Sequence, residues 1–206
     1  MPDAGDLIKL DAMENPWSWP DSLRDAWLET LSSVELNRYP DASAKDLQTA
    51  MRTAMSVPDA AGVILGNGSD ELIQMIIQTV AAPGRSVLAP VPTFVMYRQT
   101  AVVAGMDFVS VPLQTDFSLD TESTLAAITR QQPAVVFLAY PNNPTGNLFE
   151  AEAIQAILAA ADGLVVVDEA YAPFTDASFM SQLQNHDRSE ERRVGKECRS
   201  RWATYH

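Results

Sequence analysis

The sequence has almost none of the side chains that build disulfide frameworks or His/Cys metal centres. Its 206 residues include one cysteine, Cys198, and two histidines, His186 and His206, all close to the C-terminus. A single thiol cannot form a disulfide framework, and cysteine zinc sites need several thiolates. We therefore expect neither structural disulfides nor a metal site.

Positive charge and long apolar runs are also scarce. The chain carries 27 acidic and 14 basic residues, which gives a formal net charge of −13. Acidic proteins repel phosphate backbones, so we expect no nucleic-acid partner. No apolar run reaches the ~20 residues of a membrane helix. Residues 1–6 lack the basic-then-apolar order of a secretion signal, so we expect a cytoplasmic protein without a membrane partner.

Residues 188–206 differ in composition from the rest of the chain. They hold six of the 14 basic residues but only three of the 27 acidic ones, and their apolar residues follow neither helical nor strand periodicity. The segment resembles a translated sequencing adapter, so we expect the natural sequence to end near Asp187 and 188–206 to be a non-native tail. A basic, solvated C-terminal arm is the alternative.

The remaining sequence alternates between helical and strand patterns. Helices are predicted at 20–37, 43–55, 69–82, 92–103, 120–130 and 150–161, and strands at 63–65, 86–89, 107–111, 134–139 and 164–167. This alternation predicts an α/β fold with a mostly parallel sheet and helices on both faces. We expect an N-terminal arm and helix over 1–40 and a ligand-binding domain over 41–187.

Ligands bind such sheets beyond the carboxyl ends of the strands, and three motifs fall at predicted strand ends. The first is Gly66-Asn-Gly-Ser-Asp-Glu71, between a strand and a helix. Glycines permit a tight turn, and the amide groups at a helix start suit a phosphate. An ordinary turn with Ser69 as a plain helix cap is the alternative. The motif does not fit the dinucleotide or P-loop patterns.

The second motif, Tyr140-Pro-Asn-Asn-Pro-Thr-Gly146, follows an apolar strand. Two prolines and a glycine restrict this turn, which could hold an asparagine amide in one orientation. The third motif, Val165-Val-Val-Asp-Glu-Ala-Tyr171, places Asp168 where a buried strand ends. A buried carboxylate there needs a cation or hydrogen bonds. A protonated pyridine nitrogen is one candidate, and magnesium in an NTP-binding domain is another, although the P-loop is absent.

Together these motifs resemble those of the fold-type-I pyridoxal-phosphate-dependent aminotransferases over roughly residues 8–180. Within that superfamily the closest resemblance is to the histidinol-phosphate aminotransferases. The motifs that carry it are Lys9-Leu-Asp-Ala-Met-Glu-Asn-Pro16, Leu36-Asn-Arg-Tyr-Pro40, Gly66–Glu71 and Pro92-Thr-Phe-Val-Met-Tyr97. The resemblance implies pyridoxal 5′-phosphate as cofactor and amino transfer between histidinol phosphate and 2-oxoglutarate in histidine biosynthesis.

The resemblance also implies residue roles. Asp168 would pair with the pyridine nitrogen, and Asn143 and Tyr171 would bond the phenolic oxygen. The remaining cofactor roles fall to the phosphate-binding residues Gly68, Ser69 and Asp70 and to Phe94, which would stack on the ring. In a homodimer with shared sites, Tyr39 would reach the phosphate in the neighbouring subunit, and Glu14 and Asn15 would lie near the substrate. Met13 replaces an asparagine that is common among relatives.

The lysine that forms the Schiff base with the cofactor in this family has no counterpart in the chain. Lys9 and Lys45 precede the three strand-end motifs, and Lys196 lies in the tail. We therefore assign no catalytic residue and expect this polypeptide to be an inactive N-terminal fragment. Another aminotransferase or decarboxylase of the same fold, or a non-catalytic truncated protein, remains an alternative.

Overall fold

The computed structural model describes residues 17–184 and 194–196, and its backbone divides into two compact units. The first unit ends at Lys45 and the second begins at Asp46, close to the end of the arm expected from the sequence. In the part of the chain that is described, no helix has both the length and the apolar character to cross a membrane.

The described residues of the first unit include helix α1, over Asp21–Ser32. Pro20 precedes it, and the Pro20 carbonyl accepts hydrogen bonds from the first turn of the helix. Trp27 packs edge-on against Trp19, with ring centroids 5.6 Å apart. No residue of α1 is buried, although apolar side chains recur at helical spacing. The amphipathic pattern therefore predicts the helix correctly, but its apolar stripe is exposed.

The second unit alternates helices and strands, and the first helix begins at the last residue of the first unit. The helices are α2 (Lys45–Ala54), α3 (Ser69–Val80), α4 (Val95–Val103), α5 (Thr121–Gln131) and α6 (Ala151–Ala160). The strands are β1 (Ser86–Val91), β2 (Asp107–Pro112), β3 (Val135–Ala139), β4 (Leu164–Asp168) and β5 (Val194–Lys196). Short 3₁₀ turns cover Ala172–Phe174 and Met180–Gln184.

All paired strands run parallel, in the order β2-β1-β3-β4-β5. From β1 the chain passes through α4 to β2 on one side. It then returns through α5 to β3 on the other side of β1. Successive connections therefore diverge at β1 and β3, and the crevice beyond the carboxyl ends of these strands is where such sheets bind ligands.

Both faces of the sheet are covered, as the uninterrupted apolar strands predict. Val136 and Leu138 of β3 pack on one face with buried residues of α5 and α6. Val135 and Phe137, which alternate with them, pack on the other face with buried residues of α3 and α4. The predicted α/β class, with a parallel sheet between two helical layers, is confirmed.

Several local predictions are wrong. Helix α1 ends at Ser32 and not near residue 37, and α4 begins at Val95 and not at residue 92. Residues 63–65 form no strand, because no described residue pairs with them in a ladder, and the Ile64 side chain is largely exposed. Ser69 is the first residue of α3 and not its cap, since Gly68 holds that position. A short strand, β5, forms within 188–206, where the sequence shows no strand pattern. It adds to the edge of β4 through backbone hydrogen bonds, which require no particular side chains.

Candidate functional site

A pocket lies at the carboxyl edge of the sheet, where the segments that follow β1, β3 and β4 meet. The residues that line it are Ser69, Phe94, Ala139, Asn143, Asp168, Ala170 and Tyr171. Five of these were predicted as site residues from three separate motifs and the Phe94 segment. The parallel sheet brings them together because parallel strands present their carboxyl ends at one edge.

Asp168 is the last residue of β4, and its carboxylate is buried, with 5% of the residue exposed. The backbone N–H of Ala170 donates to Oδ1 at 3.0 Å, and the hydroxyl of Tyr97 donates to Oδ2 at 2.5 Å. Burial of a carboxylate is costly unless hydrogen bonds stabilise its charge, and here each oxygen accepts one. The carboxylate is therefore held in one orientation at the wall of the pocket.

An amide and a phenol meet on another side of the pocket. The side-chain Nδ2 of Asn143 donates to the hydroxyl oxygen of Tyr171 at 3.1 Å. Asn143 belongs to the turn after β3, and Tyr171 follows β4, so the contact joins two neighbouring strand ends. Both groups can donate to a single oxygen atom of a ligand placed between them.

The neighbouring Asn142 has a different role. Its side chain is buried, accepts a hydrogen bond from the Thr93 hydroxyl at 3.0 Å and donates to the Pro92 carbonyl at 3.0 Å. It also donates to the Thr145 hydroxyl at 2.6 Å. Asn142 thus ties the segment after β1 to the turn after β3. The composition of the turn does not distinguish the two asparagines, whereas the family resemblance selects Asn143, which lines the pocket.

The start of α3 forms the wall that contains Ser69. Gly68 precedes it with φ +88° and ψ 173°, a conformation that is essentially restricted to glycine. No side chain caps the helix at this position, and Ser69 is buried. Glu71 reaches back to accept a hydrogen bond from the backbone N–H of Asn67 at 2.5 Å. The positive end of the helix dipole therefore lies at Ser69, beside the pocket.

Phe94 supplies an apolar wall. It precedes α4, and its ring meets the ring of Tyr97 edge-on, with centroids 5.6 Å apart and an interplanar angle of 82°. The two residues are one helical turn apart, so they lie on the same side of the chain. Tyr97 is fully buried behind Phe94 and was not predicted as a site residue.

A second buried acid, Glu169, fixes the segment behind the pocket. Its carboxylate accepts hydrogen bonds from the Phe179 backbone N–H at 2.5 Å and the Ser178 hydroxyl at 3.1 Å. Burial raises the pKa of the nearby Tyr140 hydroxyl, and the negative charges of Glu169 and Glu150 raise it further. The hydrogen bonds to Ser178 and Phe179 give Glu169 a structural role, while its neighbour Asp168 lines the pocket.

The other predicted site residues are not among those that line the pocket. Gly68 and Asp70 flank Ser69 along the chain, and Asp70 is exposed. Tyr39, in the first unit, is fully exposed. Glu14 and Asn15 lie outside the described residues. None of the residues that the structure places around the pocket is a lysine.

The sequence is similar to known proteins over most of its length. It is 57% identical over 185 residues to histidinol-phosphate aminotransferase 2 of Nitrosococcus oceani, a match that covers 90% of this chain and 51% of the relative. It is 54% identical over 177 residues to histidinol-phosphate aminotransferase of Chromobacterium violaceum, covering 86% of this chain and 50% of the relative. The chain thus spans about half the length of these curated relatives.

The fold is similar to that of a solved structure that contains a ligand. Histidinol-phosphate aminotransferase from Sinorhizobium meliloti, in complex with pyridoxal-5′-phosphate, aligns with a TM-score of 0.62 and 29% identity over 73% of this chain and 39% of that one. The family profile "Aminotransferase class I and II" matches residues 5–194. This match covers most of the sequence, and the chain therefore belongs to the class I and II aminotransferase family.

Proposed function

We propose that the chain forms the cofactor-holding half of a pyridoxal 5′-phosphate-dependent aminotransferase that acts on histidinol phosphate and 2-oxoglutarate. The observation that carries the proposal is a single pocket that presents a buried carboxylate, an amide–phenol pair and a helix start together. The curated relatives, both named histidinol-phosphate aminotransferase, support the choice of amine.

The chemistry of the pocket fits that cofactor. A pyridinium nitrogen needs an anion, a phenolic oxygen needs hydrogen-bond donors, and a phosphate suits the positive end of a helix. Asp168, the Asn143–Tyr171 pair and Ser69 supply these three groups in one pocket. Phe94 adds an apolar face on which a flat ring can stack. The pocket therefore contains a partner for the ring nitrogen, for the phenolic oxygen and for the phosphate.

Asp168 keeps the ring nitrogen protonated, because a buried negative charge stabilises a neighbouring cation. When bound, the cofactor supplies an electron sink that accepts the electron pair left when the substrate's α-proton is removed. The hydrogen bonds from Ala170 and Tyr97 hold the carboxylate in its ionised form and in one orientation. In this proposal Asp168 tunes the electronics of the reaction and does not itself transfer a proton.

The Asn143 amide and the Tyr171 hydroxyl orient the ring by bonding its phenolic oxygen. Their mutual hydrogen bond of 3.1 Å holds the two donors close enough to share one acceptor. The backbone N–H groups from Gly68 to Asp70, together with the Ser69 hydroxyl, bind the phosphate. These contacts would hold the cofactor at two separate groups and so would limit its rotation within the pocket.

We also propose a homodimer, in which Tyr39 of one subunit contacts the phosphate in the other. Tyr39 is fully exposed in the single chain, as a residue that serves a neighbouring subunit must be. Glu14 and Asn15 then contribute to substrate binding. The amine and 2-oxo acid are small polar metabolites, which is consistent with the proposed cytoplasmic location.

The remaining half of the full-length enzyme supplies the lysine that binds the cofactor covalently and moves the α-proton. In this proposal the 206-residue polypeptide alone is inactive, and residues 188–206 are a non-native tail. Sequencing the parent gene beyond the codon for Asp187 tests whether the tail is native and whether the gene encodes the lysine. A continuous reading frame that encodes 188–206 within an otherwise normal gene would show that the tail is native.

The proposed activity is tested with the full-length parent enzyme and histidinol phosphate, by measuring glutamate formed from 2-oxoglutarate. We expect Asp168→Asn to lower kcat/KM by on the order of 10²–10³-fold, since one electrostatic group in the site is lost. Asp176→Asn is the control, because it removes an exposed carboxylate from the same segment. Turnover of aromatic amino acids but not histidinol phosphate would contradict the proposed substrate.

A further inference from the structure

We infer that Tyr97 is a positioning residue, which holds Asp168 in the orientation and charge state that the ring nitrogen requires. The inference rests on the proposed function, because it assigns a second residue to the same contact with the cofactor. Tyr97 does not line the pocket, and it acts only through the carboxylate that does.

The contact between the two side chains is short and buried. The Tyr97 hydroxyl lies 2.5 Å from Oδ2 of Asp168, and the residues are 71 positions apart in sequence. Tyr97 has no exposed surface. Hydrogen bonds to an ionised acceptor are shorter and stronger than neutral ones. In this contact the Tyr97 hydroxyl is the donor and the Asp168 carboxylate is the acceptor, which favours the charged form of Asp168.

The Tyr97 ring is fixed by its neighbours, so its hydroxyl has little freedom to move. It stacks on Phe137 of β3 with centroids 4.5 Å apart and an interplanar angle of 12°. Phe94 packs against it edge-on. Stacked and edge-on aromatic contacts restrict both ring torsions. Phe94, which supplies the apolar wall of the pocket, therefore also restricts the position of Tyr97, whose hydroxyl donates to Asp168.

The second oxygen of Asp168 completes the arrangement. Its Oδ1 accepts a hydrogen bond from the Ala170 N–H, so donors on two different elements act on the two oxygens. A carboxylate can accept about four hydrogen bonds, so these two are compatible with one more from a ligand. Removal of the Tyr97 hydroxyl removes one of the contacts that orient the carboxylate and part of the stabilisation of its charge.

The test compares two ligands that differ only at the ring nitrogen. Pyridoxamine 5′-phosphate and its 1-deaza analogue, in which a C–H replaces the nitrogen, are titrated into the cofactor-free full-length enzyme by calorimetry. Neither ligand needs the lysine in order to bind. We expect the wild type to prefer the natural ligand. In Tyr97→Phe that preference should fall about tenfold, with little change in affinity for the deaza analogue.

Tyr140→Phe is the matched control, because Tyr140 is also a buried tyrosine packed edge-on against a phenylalanine, Phe179. It should leave the preference unchanged. An equal loss of affinity for both ligands in Tyr97→Phe would mean a merely structural role and would overturn the inference, as would an unchanged preference. A wild-type enzyme that does not distinguish the ligands would overturn the assignment of Asp168 in the proposed function, and this inference with it.

A second measurement needs no variant. In a crystal structure of the wild-type enzyme with pyridoxamine 5′-phosphate, we expect the Tyr97 hydroxyl within about 2.8 Å of the Asp168 carboxylate. A separation beyond about 3.5 Å would show that no hydrogen bond exists and would overturn the inference.

Discussion

The N-termini of α3 and α5 differ in how their free backbone N–H groups are satisfied. Each helix begins with backbone N–H groups that have no partner within the helix. At α5 the Asp120 side chain accepts a hydrogen bond from the Ser123 N–H at 3.0 Å. At α3 the cap is Gly68, which offers no side chain, and the first helical residue, Ser69, lines the pocket. The N-terminus of α5 is thus capped by a side chain, whereas the N-terminus of α3, which faces the proposed phosphate, has no side-chain cap, as is also true of α1 and α6.

The largest effect is expected when a negative charge is added at the first residue of α3. The same change at the first residue of α5 is the control. Ser69→Asp places a carboxylate where the proposed phosphate binds, so affinity for pyridoxamine 5′-phosphate should fall on the order of 100-fold by like-charge repulsion. Thr121→Asp adds the same charge at the same position of α5, where the dipole favours it, and should leave that affinity unchanged. Calorimetric titration measures both. Equal effects of the two variants would remove the functional distinction between the helices.

A smaller effect should follow from giving the cap of α3 a side chain. Gly68→Ala forces a β-carbon into a glycine-only conformation, and we expect the free energy of unfolding to fall by ~1–3 kcal/mol. The added atom meets nothing within 4 Å, so the effect comes from the backbone and not from a clash. Gly62→Ala is the control, because there too the space is open and φ is not in the positive region. Urea unfolding of both variants measures the difference in stability. Similar unfolding midpoints for Gly68→Ala and Gly62→Ala would contradict backbone strain at position 68.

The smallest effect concerns pH at the start of α5. Hydrogen bonds from Ser123 hold the pKa of Asp120 below its ordinary value. A carboxyl whose pKa is lowered by folding stabilises the protein above its unfolded pKa, and this contribution is lost as the pH falls through the folded pKa. Asp120→Asn retains a cap without a titrating group, so its stability should decline less than that of the wild type between about pH 6 and about pH 3. If the urea midpoints of the wild type and Asp120→Asn decline in parallel as the pH falls, Asp120 does not titrate as described.

The sequence predicts most of the fold and much of the pocket, because both depend on local patterns. The apolar runs 134–139 and 164–167 predict buried parallel strands, and Asp168 follows directly from its place after one of them. Residues 63–65 show the limit of this reasoning. A strand also needs a partner, and no local pattern states whether one is present.

Tyr97 shows a second limit. Its place in the sequence, one turn after Phe94, suggests only a core residue. Its hydrogen bond depends on the Tyr97 side chain reaching from α4 to Phe137 of β3 and Asp168 of β4. The hydrogen bonds by which Asn142 joins two loops likewise appear only in the folded chain, whereas Asn143 is already selected by the family resemblance. Local sequence patterns do not determine long-range contacts between side chains.

The hydrogen bonds of Asn142 have a consequence for the energetics of ligand binding. They connect Pro92 and Thr93 to Thr145, so the two chain segments on either side of the crevice are joined in the protein itself. The loss of conformational entropy in these segments therefore accompanies folding and does not reduce affinity later. An incoming cofactor meets a crevice of fixed width, and its binding free energy is available for its own contacts with the walls.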